Sequence, residues 1–399
     1  MKSMMKEMID ESEHVLVHSY NRYPVVMEHG EDVYLYDTEG KKYLDFGAGI
    51  AVNALGYSDE EFKEALKAQI DKMTHVSNYF YSEPLLDAAK GLARITGMEE
   101  VFMANSGTEA NEGALKLARK YAIMKGYTGR SEIISMEKGF HGRSMGALSV
   151  TGTKKYREPF EPLISGVSFA TYNDLESVEE KITDKTYAVI VEAVQGEGGV
   201  YPASESFLRG IRELCTEHDI MMICDEVQCG MGRTGRMFGY EQYGVRPDIV
   251  TMAKGIGSGI VVGAIATTAE IGKALVPGDH GTTFGGNPLA STAVAKTIEI
   301  FEKRDILTNV KETGAYLEQT LNRLVQTCRV AREVRGLGLL RGLACDAPVG
   351  EICSKALERG LIVLSAGTDV VRFVPPLVIK PSHVDEMADI LEGILKEYE

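Results

Sequence analysis

The sequence predicts an α/β protein, with a large domain built on a doubly wound, mostly parallel sheet and a smaller α+β domain beside it. Strand-like and helix-like stretches alternate from about residue 60 to about residue 275, as they do in βαβ units. Several strand-like stretches are short apolar runs bounded by turn residues, which is typical of buried parallel strands. The chain has 399 residues, 44% of them hydrophobic, which is enough for a large core and predicts two domains.

The elements of the large domain follow an N-terminal helix and hairpin. Val33–Tyr36 and Tyr43–Phe46 flank the turn Asp37–Lys41, and this pattern predicts two paired strands. The predicted strands of the large sheet are 100–104, 132–136, 187–192, 220–225, 248–253 and 262–267. The predicted helices include 83–96, 109–125 and 204–218.

The C-terminal part departs from this alternation. After Pro288 one long helical pattern runs to about residue 326, and strand-like stretches over 332–334, 339–346 and 370–373 precede a closing helix. This arrangement predicts a smaller domain that the N-terminal segment joins. The expected division is 1–55 for the N-terminal segment, 56–285 for the large domain and 286–399 for the small domain.

Composition excludes several classes of function. A net charge of −15 without a basic patch argues against nucleic-acid binding. The six cysteines include no C-x-x-C pair, which argues against a zinc site or a disulfide framework and favours a reducing compartment. The first ten residues lack the apolar core of a signal peptide, and no apolar stretch approaches the roughly 20 residues that span a bilayer. We therefore expect a cytoplasmic protein with no metal, nucleic-acid or membrane partner.

Asp225 and Lys254 each end an apolar run. The carboxyl ends of such strands form the ligand crevice of a doubly wound sheet. An acid and an amine at this place suit pyridoxal 5′-phosphate (PLP): the lysine can form a Schiff base with the cofactor's aldehyde, and the carboxylate can pair with the pyridinium nitrogen. A structural ion pair, or two unrelated surface residues, would give the same pattern.

Further candidate site residues occur in turns. Asn105–Glu109, with Ser106, Gly107 and Thr108, precedes an amphipathic helix and predicts a phosphate site at the helix N-terminus, although a plain N-cap explains the same residues. In Gly139–Arg143, Phe140 could stack on a flat ring and Arg143 could hold a carboxylate, whereas singly the two suit a core position and a solvated surface charge. His141, alone between glycines, is weak support for a catalytic base.

Two more stretches complete the set. Glu192 and Glu197 lie in a glycine-rich loop that permits close backbone approach, but such acids also cap helices or face solvent. Thr282–Pro288 is a turn in which a threonine hydroxyl could reach a phosphate. The chain has no G-x-G-x-x-G in its dinucleotide-binding context, no G-x-x-x-x-G-K-[ST] and no H-E-x-x-H, which excludes the dehydrogenase and kinase interpretations.

Taken in order, these motifs carry a resemblance that covers nearly the whole chain. They are Tyr34–Asp37, Asp45-Phe46, Ala104–Asn111, Phe140–Arg143, Gln195–Gly199, Asp225–Gln228, Gly232–Gly235, Pro247-Asp248, Ala253–Gly255, Thr283–Pro288 and Arg372–Leu377. The sequence resembles the class III, ornithine-type aminotransferases of PLP fold type I, and most of all the acetylornithine aminotransferases within them.

This resemblance implies a set of cofactor residues. Lys254 would carry the cofactor and shuttle a proton, and Asp225 would hold the ring nitrogen protonated. The ring would lie between Val227 and Phe140, with Gln228 near its phenolic oxygen. Ser106, Gly107 and Thr108 would bind the phosphate. Thr283 would complete that phosphate site from the neighbouring subunit, which implies a homodimer with shared active sites.

The resemblance also implies substrate residues and a reaction. Arg143 would bind the α-carboxylate, Tyr20 would lie over the substrate, and Glu197 and Arg372 would form a switch pair that alternates between two unlike substrates. N-acetylornithine would give its terminal amino group to 2-oxoglutarate in a ping-pong cycle, yielding the semialdehyde and glutamate. Such an activity belongs to arginine biosynthesis.

Several positions depart from the acetylornithine-type pattern. Tyr57 stands where a histidine is usual, Ala193 replaces a proline, and Ser258–Gly263 lacks the usual glycine-rich run. Ile50 stands where ornithine aminotransferases carry a tyrosine, which argues against free ornithine and fits other ω-amino donors. The alternative donors are 4-aminobutyrate, succinylornithine and ornithine. Aminomutase or racemase chemistry and a non-catalytic PLP-binding protein are alternatives of other classes.

Overall fold

A computed structural model describes residues 4–399. Within them the strands are β1 (Met27–Glu31), β2 (Tyr34–Asp37), β3 (Lys42–Asp45), β4 (Glu100–Ala104), β5 (Glu132–Met136), β6 (Val167–Ala170), β7 (Thr186–Val191), β8 (Val194–Gln195), β9 (Tyr201–Pro202), β10 (Met221–Asp225), β11 (Ile249–Ala253), β12 (Gly263–Thr267), β13 (Ala331–Leu337), β14 (Leu340–Cys345), β15 (Leu361–Ile362), β16 (Leu364–Ala366) and β17 (Val370–Phe373).

The helices of the same residues are α1 (Met4–Val15), α2 (Ala48–Ala51), α3 (Glu60–Lys72), α4 (Glu83–Thr96), α5 (Gly107–Met124), α6 (Met145–Ser149), α7 (Lys154–Arg157), α8 (Leu175–Glu179), α9 (Glu205–Glu217), α10 (Ala269–Gly272), α11 (Pro288–Lys303), α12 (Ile306–Thr327), α13 (Val349–Glu358) and α14 (Pro381–Leu395). Short 3₁₀ turns lie at Glu158–Phe160, Gly239–Tyr243, Lys254–Ile256 and Lys396–Tyr398.

The large sheet confirms the predicted fold class. Its strand order is β4-β12-β11-β10-β7-β5-β6. Strands β11, β10, β7, β5 and β6 run parallel, whereas β12 pairs antiparallel with both β11 and β4. All six predicted strands are present with bounds that differ by at most one residue, and the edge strand β6 was not predicted. The parallel order brings the carboxyl ends of β10 and β11 side by side.

The two faces of the large sheet are covered by different apolar clusters. Helix α5 covers one face, where Ala110, Ala114 and Leu117 pack with Ile223 and Ile265. The other face belongs to a larger core that continues into the C-terminal part of the chain. The residues on the inner side of α5 are mostly small and apolar. The N-terminus of this helix therefore approaches the sheet closely at the edge where β10 and β11 end.

Smaller sheets link the two termini of the described chain. β1, β2 and β3 form an antiparallel ribbon that includes the predicted hairpin, and β15 pairs in parallel with β3. A second sheet has the order β13-β14-β17-β16. The pairing of β15 with β3 is what we expect if the N-terminal segment joins the small domain. The domain boundaries themselves stay a prediction.

The single long helix predicted after Pro288 is wrong. Helix α11 ends at Lys303, and Asp305 adopts a left-handed conformation (φ 48°, ψ 51°) before α12 begins. No glycine or proline marks this break, and apolar residues continue on both sides of it, so the pattern concealed it. Helix α11 packs on α3 and α4, where Glu302 pairs with Arg94 and Lys303 with Glu61.

In residues 4–399, no helix has both the length and the apolar character needed to cross a membrane.

Candidate active site

A cavity of about 410 Å³ opens at the carboxyl ends of β4, β10 and β11. Most of the predicted site residues line it, and they come from loops that are distant in sequence. The predicted residues in its wall are Ser106, Gly107, Thr108, Phe140, Arg143, Asp225, Val227, Gln228 and Lys254. The placement follows from the parallel sheet, which collects strand ends at one edge.

Asp225 is a buried carboxylate in a dense hydrogen-bond network. Its Oδ2 accepts from Asn111 Nδ2 at 2.8 Å and lies 2.7 Å from His141 Nδ1, and its Oδ1 accepts from the Val227 backbone N–H at 3.0 Å. The Asn111 side chain also accepts from Thr251 Oγ1 at 2.7 Å. The carboxylate therefore has one orientation, facing the cavity from the end of β10.

Asn111 and His141 are site residues that the sequence analysis did not assign. His141 is almost fully buried, and its Nε2 has no hydrogen-bond partner in the structure. Its backbone N–H donates to Thr151 Oγ1 at 3.0 Å, which holds the ring under Asp225. A signal did exist for Asn111, because it is a polar residue on the buried side of α5, next to Ala110. The role of His141 depends on tertiary contact.

Lys254 follows β11 directly and begins a 3₁₀ turn with a left-handed backbone (φ 48°). Such a conformation is unusual for a residue with a side chain, and it directs Lys254 into the cavity wall. Burial lowers the pKa of its amine; the nearby Glu197 opposes the shift and Arg372 adds to it. A lowered pKa increases the fraction of neutral amine, which is the nucleophilic form.

The start of α5 offers backbone donors to an anion. Ser106 is the N-cap, and its Oγ accepts from the Glu109 N–H at 3.3 Å. The Gly107 and Thr108 N–H groups belong to the first turn, which has no intrahelical acceptors. The Thr108 hydroxyl faces the next loop instead, since it accepts from the Arg143 and Ser144 N–H groups at 3.2 Å. The start of the helix therefore offers an anion its backbone N–H groups and not the Thr108 hydroxyl.

Two apolar side chains and a cation line the cavity together with Asp225. Val227 packs so closely on α5 that a Cβ at Gly107 would come within 2.7 Å of it. Phe140 makes an edge contact with Tyr156, with ring centroids 5.9 Å apart. The Arg143 guanidinium lies over Tyr156 at 3.9 Å from the ring centroid. This leaves a flat apolar slot with an accessible guanidinium at its rim.

Glu197 and Arg372 form a connected triad with Gln228, which is the member that lines the cavity. Arg372 Nη1 pairs with Glu197 Oε1 and donates to Gln228 Oε1 at 3.1 Å, and Gln228 Nε2 donates to Glu197 at 3.3 Å. Burial alone would raise the pKa of Glu197, but the charge and hydrogen bond of Arg372 outweigh it and lower the pKa. Gln228, expected near the cofactor, thus also holds the switch pair.

Glu192 is the second carboxyl group in the cavity wall, beside Asp225. Burial raises its pKa well above the usual range, and the charge of Asp225 raises it further, although the Phe140 N–H donates to it at 3.2 Å. Burial therefore favours the protonated form of Glu192.

Tyr20 and Thr283 lie outside this cavity in the described chain. Tyr20 is 69% exposed, with Arg22 over its ring. Thr283 is exposed and lines a separate groove of about 900 Å³ with Asn78 and His280. Their expected roles over the substrate and at the phosphate stay predictions.

The site fits PLP. The cofactor needs an acid for its ring nitrogen, an amine for its aldehyde, donors for its phosphate and flat walls for its ring. Asp225, Lys254, the start of α5, and Val227 with Phe140 are the groups of matching chemistry around one cavity. Its volume is within the range of small-molecule sites.

Comparison with known proteins gives the family. The model of the family Aminotransferase class-III matches residues 15–395. The acetylornithine aminotransferase of Clostridium acetobutylicum is 44% identical over 386 residues, which cover 96% of this chain and 100% of that protein. That of Methanocaldococcus jannaschii is 44% identical over 378 residues, covering 95% of each.

Solved structures agree with the sequence relatives. The ornithine aminotransferase of Toxoplasma gondii superposes with a TM-score of 0.95 at 28% identity, covering 99% of this chain and 95% of that one. The acetylornithine aminotransferase of Elizabethkingia anophelis gives 0.88 at 31% identity, covering 98% and 99%. Because the matches in sequence and in structure both extend over nearly the whole length, the chain belongs to the class III aminotransferases, a PLP-dependent family.

Proposed function

We propose that this enzyme transfers the terminal amino group of N-acetylornithine to 2-oxoglutarate, giving the semialdehyde and glutamate. The observation that carries the proposal is the Glu197–Arg372 pair beside Lys254, because it lets one site serve two unlike substrates. The sequence relatives named acetylornithine aminotransferases, at 44% identity, support this choice of donor.

Lys254 and Asp225 are proposed as the groups that run the chemistry. When bound, PLP supplies an aldehyde that takes up the amino group and a ring that accepts electrons from the adjoining carbon. Lys254 anchors the cofactor and moves the proton, because burial lowers its pKa and increases the neutral fraction of its amine. Asp225, oriented by Asn111 and His141, pairs with the ring nitrogen.

Arg143 and the switch pair are proposed to select the substrates. Arg143, at the cavity rim, binds the carboxylate that is remote from the reacting carbon, which is the α-carboxylate of N-acetylornithine and the distal carboxylate of 2-oxoglutarate. While the donor is bound, Glu197 neutralises Arg372. When 2-oxoglutarate enters, its second carboxylate replaces Glu197, because a buried guanidinium needs an anionic partner in either state.

We propose that the active enzyme is a homodimer in which Thr283 serves the partner's phosphate site. Thr283 is exposed beside a cluster of exposed aromatic side chains, which is typical of an interface. The cluster consists of Tyr79 (94% exposed), Phe80 (65%), Tyr81 (106%) and Phe284 (60%). Light scattering should give twice the chain mass.

A cytosolic location and a role in arginine biosynthesis belong to the same proposal. The cysteines at 215, 224, 229, 328, 345 and 353 are all free and buried. Unpaired thiols of this kind suit a reducing compartment.

The test is a donor-by-acceptor screen of the purified enzyme with PLP. N-acetylornithine, ornithine, succinylornithine and 4-aminobutyrate are each paired with 2-oxoglutarate and with pyruvate. We expect a yellow protein that bleaches with glutamate and has its highest kcat/KM with N-acetylornithine and 2-oxoglutarate. Turnover without any 2-oxo acid would indicate an isomerase instead. A colourless protein that gains no absorbance with PLP would overturn the proposal.

A further inference from the structure

Two sequence departures from the acetylornithine-type pattern meet in the structure. Tyr57 and the loop Ser258–Gly263 lie about 200 residues apart in sequence, yet both contact the segment Asn53–Leu55. This segment follows Val52, and the loop contributes Gly259, Ile260, Val261 and Val262; these five residues form one wall of the active-site cavity. The contacts therefore connect two unusual features to the surface that a substrate touches.

Tyr57 is held at both its ring and its hydroxyl. The hydroxyl donates to Asp45 Oδ2 and accepts from Asn53 Nδ2 at 3.2 Å. The ring packs on Gly30, where a Cβ would come within 2.4 Å of Tyr57 Cγ. Since Tyr57 has no freedom to move aside, it fixes where the Asn53 amide lies.

Asn53 and Ser258 carry this constraint to the loop. A Cβ at Gly259, whose φ is +109°, would lie 2.9 Å from Asn53 Oδ1, so the amide and the loop backbone are in close contact. Ser258 Oγ accepts from the Leu55 N–H at 3.0 Å. One hydrogen bond and one packing contact thus join the segment to the first two residues of the loop.

The residues before Asn53 are strained and depend on the same carboxylate. Ala48, Gly49, Ile50 and Ala51 all have positive φ, which makes a left-handed turn, costly for residues other than glycine. Asp45 Oδ1 accepts from the Gly47 and Ala48 N–H groups at 2.8 and 2.9 Å. Asp45 therefore holds the turn with one oxygen and Tyr57 with the other.

This wall is apolar and has no cation, unlike the Arg143 and Arg372 sides. The acceptor 2-oxoglutarate has a carboxylate for each arginine, whereas N-acetylornithine has only one carboxylate. The aliphatic chain of an ω-amino donor is the part that would lie against the apolar wall. We propose that Tyr57 and Asn53 are positioning residues that set this wall and thereby select the amino donor. The inference rests on the proposed transaminase function.

The kinetic test compares donor and acceptor in the holoenzyme. For Tyr57→Phe we expect kcat/KM for N-acetylornithine to fall about tenfold, mainly through KM, the loss typical of about one hydrogen bond. The value for 2-oxoglutarate should change less than about twofold. Asn53→Ala should do the same while keeping the Tyr57–Asp45 bond, and the double variant should be no worse than either single one. Parallel losses for donor and acceptor, or additive effects, would overturn the proposal.

Tyr43→Phe is the matched control. The Tyr43 hydroxyl also donates to a buried carboxylate, Asp37 Oδ2 at 2.7 Å, but neither residue lines the cavity. It should leave both substrates unchanged. If the screen selects another ω-amine as the best donor, the same donor-to-acceptor split is measured with that amine.

Hydrogen exchange separates this inference from the proposed function. Tyr57→Phe should increase amide exchange in residues 48–56 and in 258–263 together, and Tyr43→Phe should not. This result does not depend on any turnover. An enzyme inactive with every donor, but with coupled exchange, would refute the function and leave the contact chain intact. Faster exchange in 48–56 alone would refute the chain.

Discussion

The two ends of the active-site cavity are built by different means. At the cofactor end, Asp225 ends strand β10 and is held by Asn111 on helix α5, by His141 and by the Val227 backbone. At the opposite wall, the turn Ala48–Ala51 is left-handed and the loop after Lys254 exposes 73% of Val261.

The difference shows how chemistry and selectivity divide between them. A network of satisfied hydrogen bonds permits one orientation of Asp225, as a fixed electronic role requires. A wall of strained turn and loop can shift with few substitutions, because little regular structure depends on it. Relatives can therefore share the cofactor end while differing in donor. Substitutions at each end test this division.

The largest effect is expected from Lys254→Ala at the cofactor end. Transamination should fall by more than about a thousandfold, because no other amine lines the cavity wall within the described chain. The melting temperature should be unchanged or slightly higher, because removing a buried amine also removes the free-energy cost of its desolvation. Turnover assays and melting curves measure the two. Retained turnover would break the assignment of this end to the chemistry.

A smaller effect is expected from Glu197→Gln, between the two ends. The variant keeps an acceptor for Arg372 but loses the negative charge of Glu197. We therefore expect 2-oxoglutarate to bind better and the amino donor to bind worse. The ratio of kcat/KM for 2-oxoglutarate to that for the donor should rise about tenfold or more.

Glu318→Gln is the control for the switch pair. Glu318 pairs with Arg341, a buried arginine on β14 that does not line the cavity. The ratio should not change in this variant. An equal change in both variants would mean that stability, and not the switch, is responsible.

Because the pKa of Glu197 is lowered, its pairing with Arg372 is present above the ordinary carboxyl pKa and is lost as pH falls through the lowered value.

The same division explains what the sequence could predict. The strand ends at Asp225 and Lys254 were predicted because apolar runs and turn residues are local signals. The short strand β15 and the role of His141 were not, because each depends on a partner distant in sequence. The break at Asp305 was missed because no glycine or proline marks it. The left-handed turn had no signal at all: Ala48-Gly49-Ile50-Ala51 contains one glycine, and tertiary contacts impose the rest.

A pH-dependent effect on stability is expected from Glu226→Gln. Glu226 follows Asp225 but faces away into the core, where the Gly239 and Tyr240 N–H groups donate to it. Burial raises its pKa to about 8. Between pH 4.5 and 8 the folded state keeps a proton that the unfolded state loses, so the unfolding free energy falls as pH rises through this window. The variant removes that dependence.

The measurement is a melting series from pH 5 to 9. Relative to wild type, Glu226→Gln should gain about 4 kcal/mol in unfolding free energy between the two limits, because each pKa unit corresponds to about 1.4 kcal/mol. The exposed Glu217→Gln at the end of α9 is the control and should follow wild type. A wild-type profile as flat as that of the variant would show that Glu226 is ionised in the fold.

The smallest effect is expected from Ile50→Gly in the left-handed turn Ala48–Ala51, which precedes the apolar wall. Ile50 is β-branched, has a φ of +67° and is 48% exposed, so it combines backbone strain with little burial. Glycine removes the strain, which outweighs its greater freedom in the unfolded chain, and we expect a gain of about 0.5 kcal/mol. Ile164→Gly is the matched control, since Ile164 is 49% exposed without a positive φ, and it should lose stability. Denaturant titration of both variants decides the sign. Opposite signs would show that this turn stores backbone strain, and equal losses would mean that the left-handed turn is relaxed.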